Sequence, residues 1–239
     1  EELPETERLV WALYRAGVDA LIVQDMALLE LDLPPIPLHA STQMDNRTPE
    51  KVKFLHGLGF SQVVLARELS LAEIQAVHAA CDVPLEVFVH GALCVSYSGQ
   101  CYVSQHCFGR SANRGECAQF CRLKFDMVDS DGRMIEQGRH LLSLKDMNRG
   151  EDLERLLDAG VTSLKIEGRL KDVAYVKNVT AWYRSRLDGL LQAGTRQDFQ
   201  TPSRIPYSLD RTLFDRIYTP ARKKFQPRIH PLFSGWPYT

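Results

Sequence analysis

Apolar positions at Leu9, Val10, Leu13 and Ala16 recur at helical spacing, which predicts a helix over 5–16, opened near Pro4 and stopped by Gly17. Residues 18–23 then read as a strand running into Asp25, and residues 36–40 as a second, short one. Thr48 followed by Pro49 is an N-cap with proline at the first helical position, and predicts a helix to about His56. Gly59 closes that unit, residues 61–66 form a third strand, and Ser70 caps a helix to about Ala80. Residues 85–89 form a fourth strand that runs into His90 and Gly91.

The rhythm breaks over 91–135, where cysteine, glycine and serine crowd together and Asp129-Ser130-Asp131-Gly132 marks a turn between apolar stretches. This segment reads as an insertion with a small hairpin. Helix 151–159, strand 161–166 and a long helix over about 172–191 then resume the pattern. From about Gly194 the chain is rich in Pro, Arg and aromatics without a clear period.

One phrase occurs three times. Ala16-Gly17 leads to Leu21-Ile22-Val23, Leu58-Gly59 to Val63-Val64-Leu65, and Ala159-Gly160 to Leu164-Lys165-Ile166, each followed by a polar residue. Repetition of helix, glycine and apolar strand means parallel strands with helical crossovers. The strands are nearly continuous in apolar character, which fits a sheet buried on both faces. Five such strands fall short of the eight, in about 250 residues, of a closed barrel. The expected fold is therefore a (β/α)8 TIM-barrel-like parallel sheet, partial because its N-terminal βα units are missing. Residues 1–193 make up this unit, with the Cys-rich insertion 91–135 after a strand, and 194–239 form an extension or the start of a further domain.

Composition narrows the function without naming it. The chain has 239 residues, 29 Lys+Arg against 30 Asp+Glu, and a formal net charge of -1. That excludes a uniformly basic nucleic-acid coat and leaves room for a local basic patch. No apolar run approaches the roughly 18 residues of a membrane span, and no secretory leader opens the sequence, so a cytoplasmic protein without membrane contact is expected. The first residue is Glu1, which suggests a fragment or a processed chain.

The cysteines change the picture most. Cys81 stands apart, while Cys94, Cys101, Cys107, Cys117 and Cys121 follow C-x6-C-x5-C-x9-C-x3-C within 28 residues. Such a cluster reads as metal binding or redox chemistry before it reads as a disulfide framework. The spacing is neither that of a zinc ribbon nor that of a bacterial ferredoxin. Three states stay open on spacing alone: an Fe–S cluster, a zinc site, or unligated or disulfide-linked cysteines.

In parallel α/β folds chemistry sits where strands end. The residues there are Asp25, His39, Gln43, Arg67, Glu68, His90, Glu167 and Arg169. Both signs of charge and two imidazoles suit an anionic small molecule and an acid–base step. Arg67 and Arg169 stand out because a guanidinium forks onto carboxylate or phosphate, and His39 and His90 follow. The plain alternative for each is a helix cap or an ion pair. His56, His78 and His140 look like surface or packing residues, and Trp11 and Trp182 like core. Arg110, Arg114, Arg122 and Lys124 interleave with the cysteines, where they would offset thiolate charge, touch phosphate, or form a solvated basic loop. There is no P-loop, dinucleotide fingerprint, zincin motif or nucleophile elbow.

Residues 86–104, EVFVHGALCVSYSGQCYVS, match every fixed position of E-x-F-x2-G-[SA]-[LIVM]-C-x4-G-x-C-x-[LIVM]-S, the signature of the U32 peptidase family. GRSANRGEC at 109–117, Cys121-Arg122, HASTQ at 39–43 and KIEGR at 165–169 extend the resemblance over about residues 1–190. Within the family the chain is most similar to the bacterial RNA hydroxylases, those acting on a 23S ribosomal RNA cytidine first and a tRNA uridine next. The resemblance implies a barrel-like catalytic domain and oxygen-independent hydroxylation of an RNA base with prephenate as co-substrate. It also implies a 4Fe–4S cluster, readily lost in air, on Cys94, Cys101, Cys117 and Cys121. Cys107 and Cys81 fall outside the motif, and zinc is the alternative metal. The candidate catalytic set is Arg67, His39, His90, Glu167 and Arg169.

The family's older label implies a collagenase-like protease instead, for which His90 and Cys94 are the nearest Cys–His pair in sequence. No spacing for an open metalloprotease site is present. The third alternative is a non-catalytic, cysteine-clasped RNA-binding or scaffold module. An incomplete barrel would also expose strand edges that a homodimer of the fragment covers.

Overall fold

The computed structural model describes residues 2–168 and 171–192. The elements run α1 (Leu3–Arg15), β1 (Leu21–Val23), β2 (Leu38–Ala40), α2 (Pro49–Gly57), β3 (Gln62–Val64), α3 (Leu71–Ala80) and β4 (Leu85–Gly91). There follow α4 (Val103–Phe108), β5 (Phe125–Val128), β6 (Met134–Arg139), β7 (Met147–Asn148), α5 (Leu153–Asp158), β8 (Val161–Ile166) and α6 (Val173–Gln192).

Local chemistry sets these boundaries. Thr48 Oγ1 accepts from the Lys51 amide at the start of α2, with Pro49 at the first helical position. Ser70 and Glu73 form a reciprocal capping box on α3. Asp172 Oδ1 accepts from the Tyr175 amide at 2.7 Å and opens α6. The glycines of the repeated phrase, Gly17, Gly59 and Gly160, all have φ between 82° and 97°, the left-handed turn that ends a helix and feeds the next strand.

All five expected strands are present as β1, β2, β3, β4 and β8, parallel and adjacent in that order. The molecule is thus an α/β fold with a mostly parallel sheet. The exception is β7, two residues that pair antiparallel with the end of β4 at His90 and Gly91. The hairpin expected around Asp129–Gly132 is β5–β6, a separate two-stranded sheet. The boundary at 193/194 and Arg169 lie outside the described residues.

Packing corrects one expectation. The apolar core alternates along the strands, drawing on Val63 and Leu65, then Leu85, Val87 and Val89. These pack against Val52 and Leu55 of α2, Ile74 and Val77 of α3, Leu153 and Leu156 of α5, and Val179 of α6, each helix residue no more than 1% exposed. The opposite face carries His39, Gln62, Glu86, Phe88, Ser163 and Lys165. Ile22, Val64 and Phe88 are interspersed there, but none of them joins the main apolar cluster, so the face is mixed polar and not a second apolar core. Alternation with period two, one side apolar and one polar, is what separates the two roles. Trp182 packs against the core, as expected, while Trp11 is half-buried and donates Nε1–H to the Asp32 carbonyl.

Candidate active site and cysteine cluster

On the polar face, strand register brings together residues far apart in sequence. His39 lies beside Gln62, Val64 beside Glu86, Glu86 beside Ser163, and Phe88 beside Lys165. Glu86 is the hub. It accepts from Gln62 Nε2 at 2.9 Å, Ser163 Oγ at 2.7 Å and Lys165 Nζ at 2.7 Å. These contacts hold three donors, from β3 and β8, around one carboxylate. His39, beside this hub, is held neutral near pH 7 because burial pushes its pKa below the usual value, Glu86 opposing and Lys165 reinforcing that shift. A neutral imidazole at a strand end is able to take or pass a proton.

Arg67 stands one layer above. Its guanidinium carbon is 3.9 Å from the centroid of the Phe88 ring, and Nη2 pairs with Glu167 Oε2 at 2.8 Å. Nε is buried without a hydrogen-bond partner among the described residues. A buried N–H left unmade costs about 1–3 kcal/mol, so this donor marks a place where an acceptor belongs. Glu167 is wedged against Gly91, where an added Cβ would sit 2.7 Å from Glu167 Cβ at a backbone φ of +121°. Only glycine permits that approach.

The remaining strand-end residues have other tasks. Asp25 caps the short 3-10 turn after β1 by accepting from the Ala27 amide. Glu68 accepts from both the amide and hydroxyl of Ser98, each at 2.9 Å. Gln43 accepts from the Gly99 amide at 3.1 Å and donates to the Ala112 carbonyl at 3.4 Å. Gln43 and Glu68 therefore dock the cysteine-bearing loop on the sheet. Arg47, Asp45, Tyr97 and Gln100 share this docking surface, with Gln100 Nε2 donating to Asp45 Oδ2 at 2.5 Å.

His90 is placed elsewhere. A register shift between Phe88 and His90 accompanies the turn of its ring toward α6, where it packs 5.8 Å from Tyr175 and 5.5 Å from Tyr183. Its Nδ1 lies 3.4 Å from the Tyr183 hydroxyl, and burial lowers its pKa to about 4. It belongs to the helix-covered side, apart from His39 and Arg67.

All six cysteines are free thiols. The half-buried Cys121 lies within electrostatic reach of Cys94, Cys101 and Cys117, and its own thiol is pushed up by burial. Cys107, on α4, stands outside this set, and Cys81 is buried after α3. Hydrogen bonds fix the same neighbourhood. Arg122 Nη2 donates to the Leu93 carbonyl at 2.6 Å, tying Cys121 to Cys94. Ser104 Oγ accepts from the Ala118 amide at 3.0 Å, tying the Cys117 turn to the Cys101 loop. The Gln119 amide points at Cys117 Sγ from 3.4 Å, on a residue with φ of 56°. Among the described residues no three His, Cys, Asp or Glu side chains are closed at metal-ligating geometry. Four neighbouring thiols with an amide aimed at one sulfur nevertheless fit a group that takes four thiolates. Arg122, with its further bonds to Ser143 and Leu144, is a staple of this segment. His56, His78 and His140 are exposed, as their sequence context suggested.

Parallel strands deliver polar side chains to one face, and a segment that carries five of the six cysteines docks on their ends. The chain belongs to peptidase family U32, whose model matches residues 1–225. It is 58% identical over 192 residues to the 23S rRNA 5-hydroxycytidine C2501 synthase of Escherichia coli (strain K12), covering 80% of this chain and 29% of that protein. It is 36% identical over 197 residues to tRNA hydroxylation protein P1 of Bacillus subtilis (strain 168), covering 79% and 47%. A collagenase of Porphyromonas gingivalis (strain ATCC BAA-308 / W83) is 31% identical over 202 residues, covering 79% and 49%. The chain thus spans between about three-tenths and half the length of these relatives. No helix among the described residues is long and apolar enough to cross a membrane.

The polar hub was the part that sequence reasoning missed. Gln62, Glu86, Ser163 and Lys165 went unremarked as site residues, although Glu86 and Phe88 are fixed positions of the signature. The available signal was a charged residue inside an apolar strand, Glu86 before Val87 and Lys165 before Ile166.

Proposed function

We propose that this chain carries the catalytic centre of an RNA hydroxylase. In this reading it acts in the cytoplasm on an RNA base, a 23S ribosomal RNA cytidine in first place and a tRNA uridine as the alternative, with prephenate as co-substrate. The observation that carries the reading is the docking of the loop between Cys94 and Cys101 on the strand ends, where Ser98 Oγ accepts from the amide of Arg67, an arginine with an unmet Nε donor. The sheet would be part of a (β/α)8 barrel whose interior is the polar face.

Cys94, Cys101, Cys117 and Cys121 would hold a 4Fe–4S cluster. An Fe–S group would supply redox chemistry that side chains do not perform. Arg67 would take a prephenate carboxylate, using Nε and the face of Phe88 to fix its plane. Glu167 holds the guanidinium in place for that contact. His39, neutral and backed by the Glu86–Lys165 hub, would accept or relay the proton released from the base. His90, packed under α6, supports the strand end rather than touching substrate.

The test is mass spectrometry of 23S rRNA and tRNA fragments incubated with the anaerobically reconstituted protein and prephenate. A gain of one oxygen that requires prephenate is expected. Arg67→Ala should abolish the gain, and Arg67→Lys should leave a small fraction of it. No oxygen gain on either RNA, with cleavage of a denatured collagen substrate instead, would overturn the reading in favour of a peptidase.

A further inference from the structure

Tyr97 lies in the loop between Cys94 and Cys101 and is 59% exposed. One face of its ring is nevertheless backed by a fixed side chain. The Arg47 guanidinium carbon sits 4.3 Å from the centroid of its ring. Arg47 is fixed in turn by Asp45, through Nη2 to Oδ2 at 2.9 Å and through Nε to Oδ1. Asp45 has φ of 60°, one of two non-glycine residues with positive φ among the described residues. It ends the short 3-10 turn 42–44 there, its amide bonded to the Thr42 carbonyl, which fixes the carboxylate that holds Arg47. On the other side of the ring's backbone, Ser98 is 4% exposed and bound twice by Glu68. The Gln100 amide closes a turn onto the Tyr97 carbonyl at 3.1 Å.

Folding alone has no use for this. A rigid aromatic ring with one face backed by a cation and the remainder in water buries little apolar area. It does remove the ordering cost that a flexible ring would incur on binding. A flat, preformed π face with a guanidinium behind it suits another flat π system, and an unpaired nucleobase offers one with a phosphate nearby for the positive charge. In duplex RNA that face is already occupied by stacking.

We propose that Tyr97, backed by Arg47, is a stacking platform for an unpaired base of the RNA substrate at the rim of the cysteine site. This rests on the RNA reading above and names the surface that receives the strand. Tyr97 is a binding residue here, and Asp45 and Arg47 are positioning residues.

The experiment measures fluorescence anisotropy of a short labelled single-stranded RNA, and of the same strand annealed to its complement. The protein is wild type, Tyr97→Ala, Tyr97→Phe and Tyr97→Leu. Stacking of one base on an aromatic ring is worth about 1–3 kcal/mol, so Tyr97→Ala should weaken single-strand binding roughly 5- to 150-fold. Tyr97→Phe should stay within about twofold of wild type, because it keeps the ring. Tyr97→Leu keeps apolar bulk over Arg47 and should still lose binding. The slope of log Kd against log salt should be the same in all four, since no phosphate contact is removed. Duplex binding should not change.

Iron content and thermal melting accompany each variant. Equal single-strand affinity for Tyr97→Ala and wild type, at equal iron content, would overturn the platform and leave the RNA reading standing. Weakened binding together with lost iron or a lowered melting temperature in both Ala and Leu variants would overturn it in favour of a purely structural ring. A wild-type protein that binds neither RNA form would overturn the RNA reading as well.

Discussion

The sheet with its helices and the cysteine-bearing segment 92–146 are held by different physics. Val63, Leu85 and Leu156 have no exposure to water, and their neighbours on α2, α3, α5 and α6 are nearly as buried. Every residue of β6 is exposed, and the cysteine segment reaches the sheet through point contacts: Gln43 to Gly99, Glu68 to Ser98, Gln100 to Asp45. Apolar burial at about 25 cal/mol per Å² stabilises the first region. A net hydrogen bond contributes only about 1 kcal/mol, so the second is held by few and separable terms. The contrast separates two kinds of failure. Damage to the layer should unfold the protein, while damage to the docking contacts should release the thiols from their arrangement and leave the sheet intact.

The largest effect on stability should come from the core. Leu55→Ala, at a site with 0% exposure, should cost about 2–5 kcal/mol in chemical denaturation. A loss under about 0.5 kcal/mol would mean that α2 is not part of the core it packs against. The next effect is pH dependence. His90 is 2% exposed, with its pKa lowered by burial to about 4 from 6.5. The unfolded chain binds this proton more readily, so the stabilising contribution is whole above pH 6.5 and is lost as pH falls towards 4. The loss is of the order of 3 kcal/mol, and His90→Gln should flatten that stretch of the stability curve.

Gly99→Ala tests the docking contacts themselves. An added Cβ would lie 2.2 Å from the Gln43 carbonyl oxygen, at a φ of +77°. Thiol reactivity of the apo-protein toward a maleimide should rise roughly tenfold at Cys94 and Cys101, because a lost contact of about 1.4 kcal/mol opens the loop tenfold more often. The denaturation midpoint of the sheet should hardly move. The smallest effect belongs to the hairpin. Arg139 and Glu136 are paired at 3.7 Å with 62% and 48% of their side chains exposed, and Arg139→Ala should change stability by less than about 0.5 kcal/mol.

These two regions also differ in how much of them the sequence discloses. The layer was legible because its strands are apolar runs, three of them preceded by a glycine in a left-handed turn, Gly17, Gly59 and Gly160. The hairpin was legible from Asp129–Gly132. The helix α4 and the strand β7 were not, since six and two residues carry too little periodicity. The polar hub was invisible for another reason. Glu86 and Lys165 are 79 positions apart, and only the parallel register that sets Phe88 beside Lys165 brings them into contact. His90 misled through geometry. Strict alternation from Glu86 and Phe88 would place it on the polar face, and the register shift after Phe88 is associated with its turn to α6 instead. Spacing alone kept zinc and Fe–S open for the cysteines. The structure adds that Cys121 lies within electrostatic reach of Cys94, Cys101 and Cys117.

The decisive measurement is iron and sulfide content with the visible spectrum, after anaerobic reconstitution, for wild type, Cys101→Ser and Cys107→Ser. Wild type and Cys107→Ser should hold about four irons per chain with a broad band near ~400 nm, and Cys101→Ser should hold none. Equal loss in the two variants, or a colourless wild type with about one zinc, would contradict a four-cysteine Fe–S site on these strand ends.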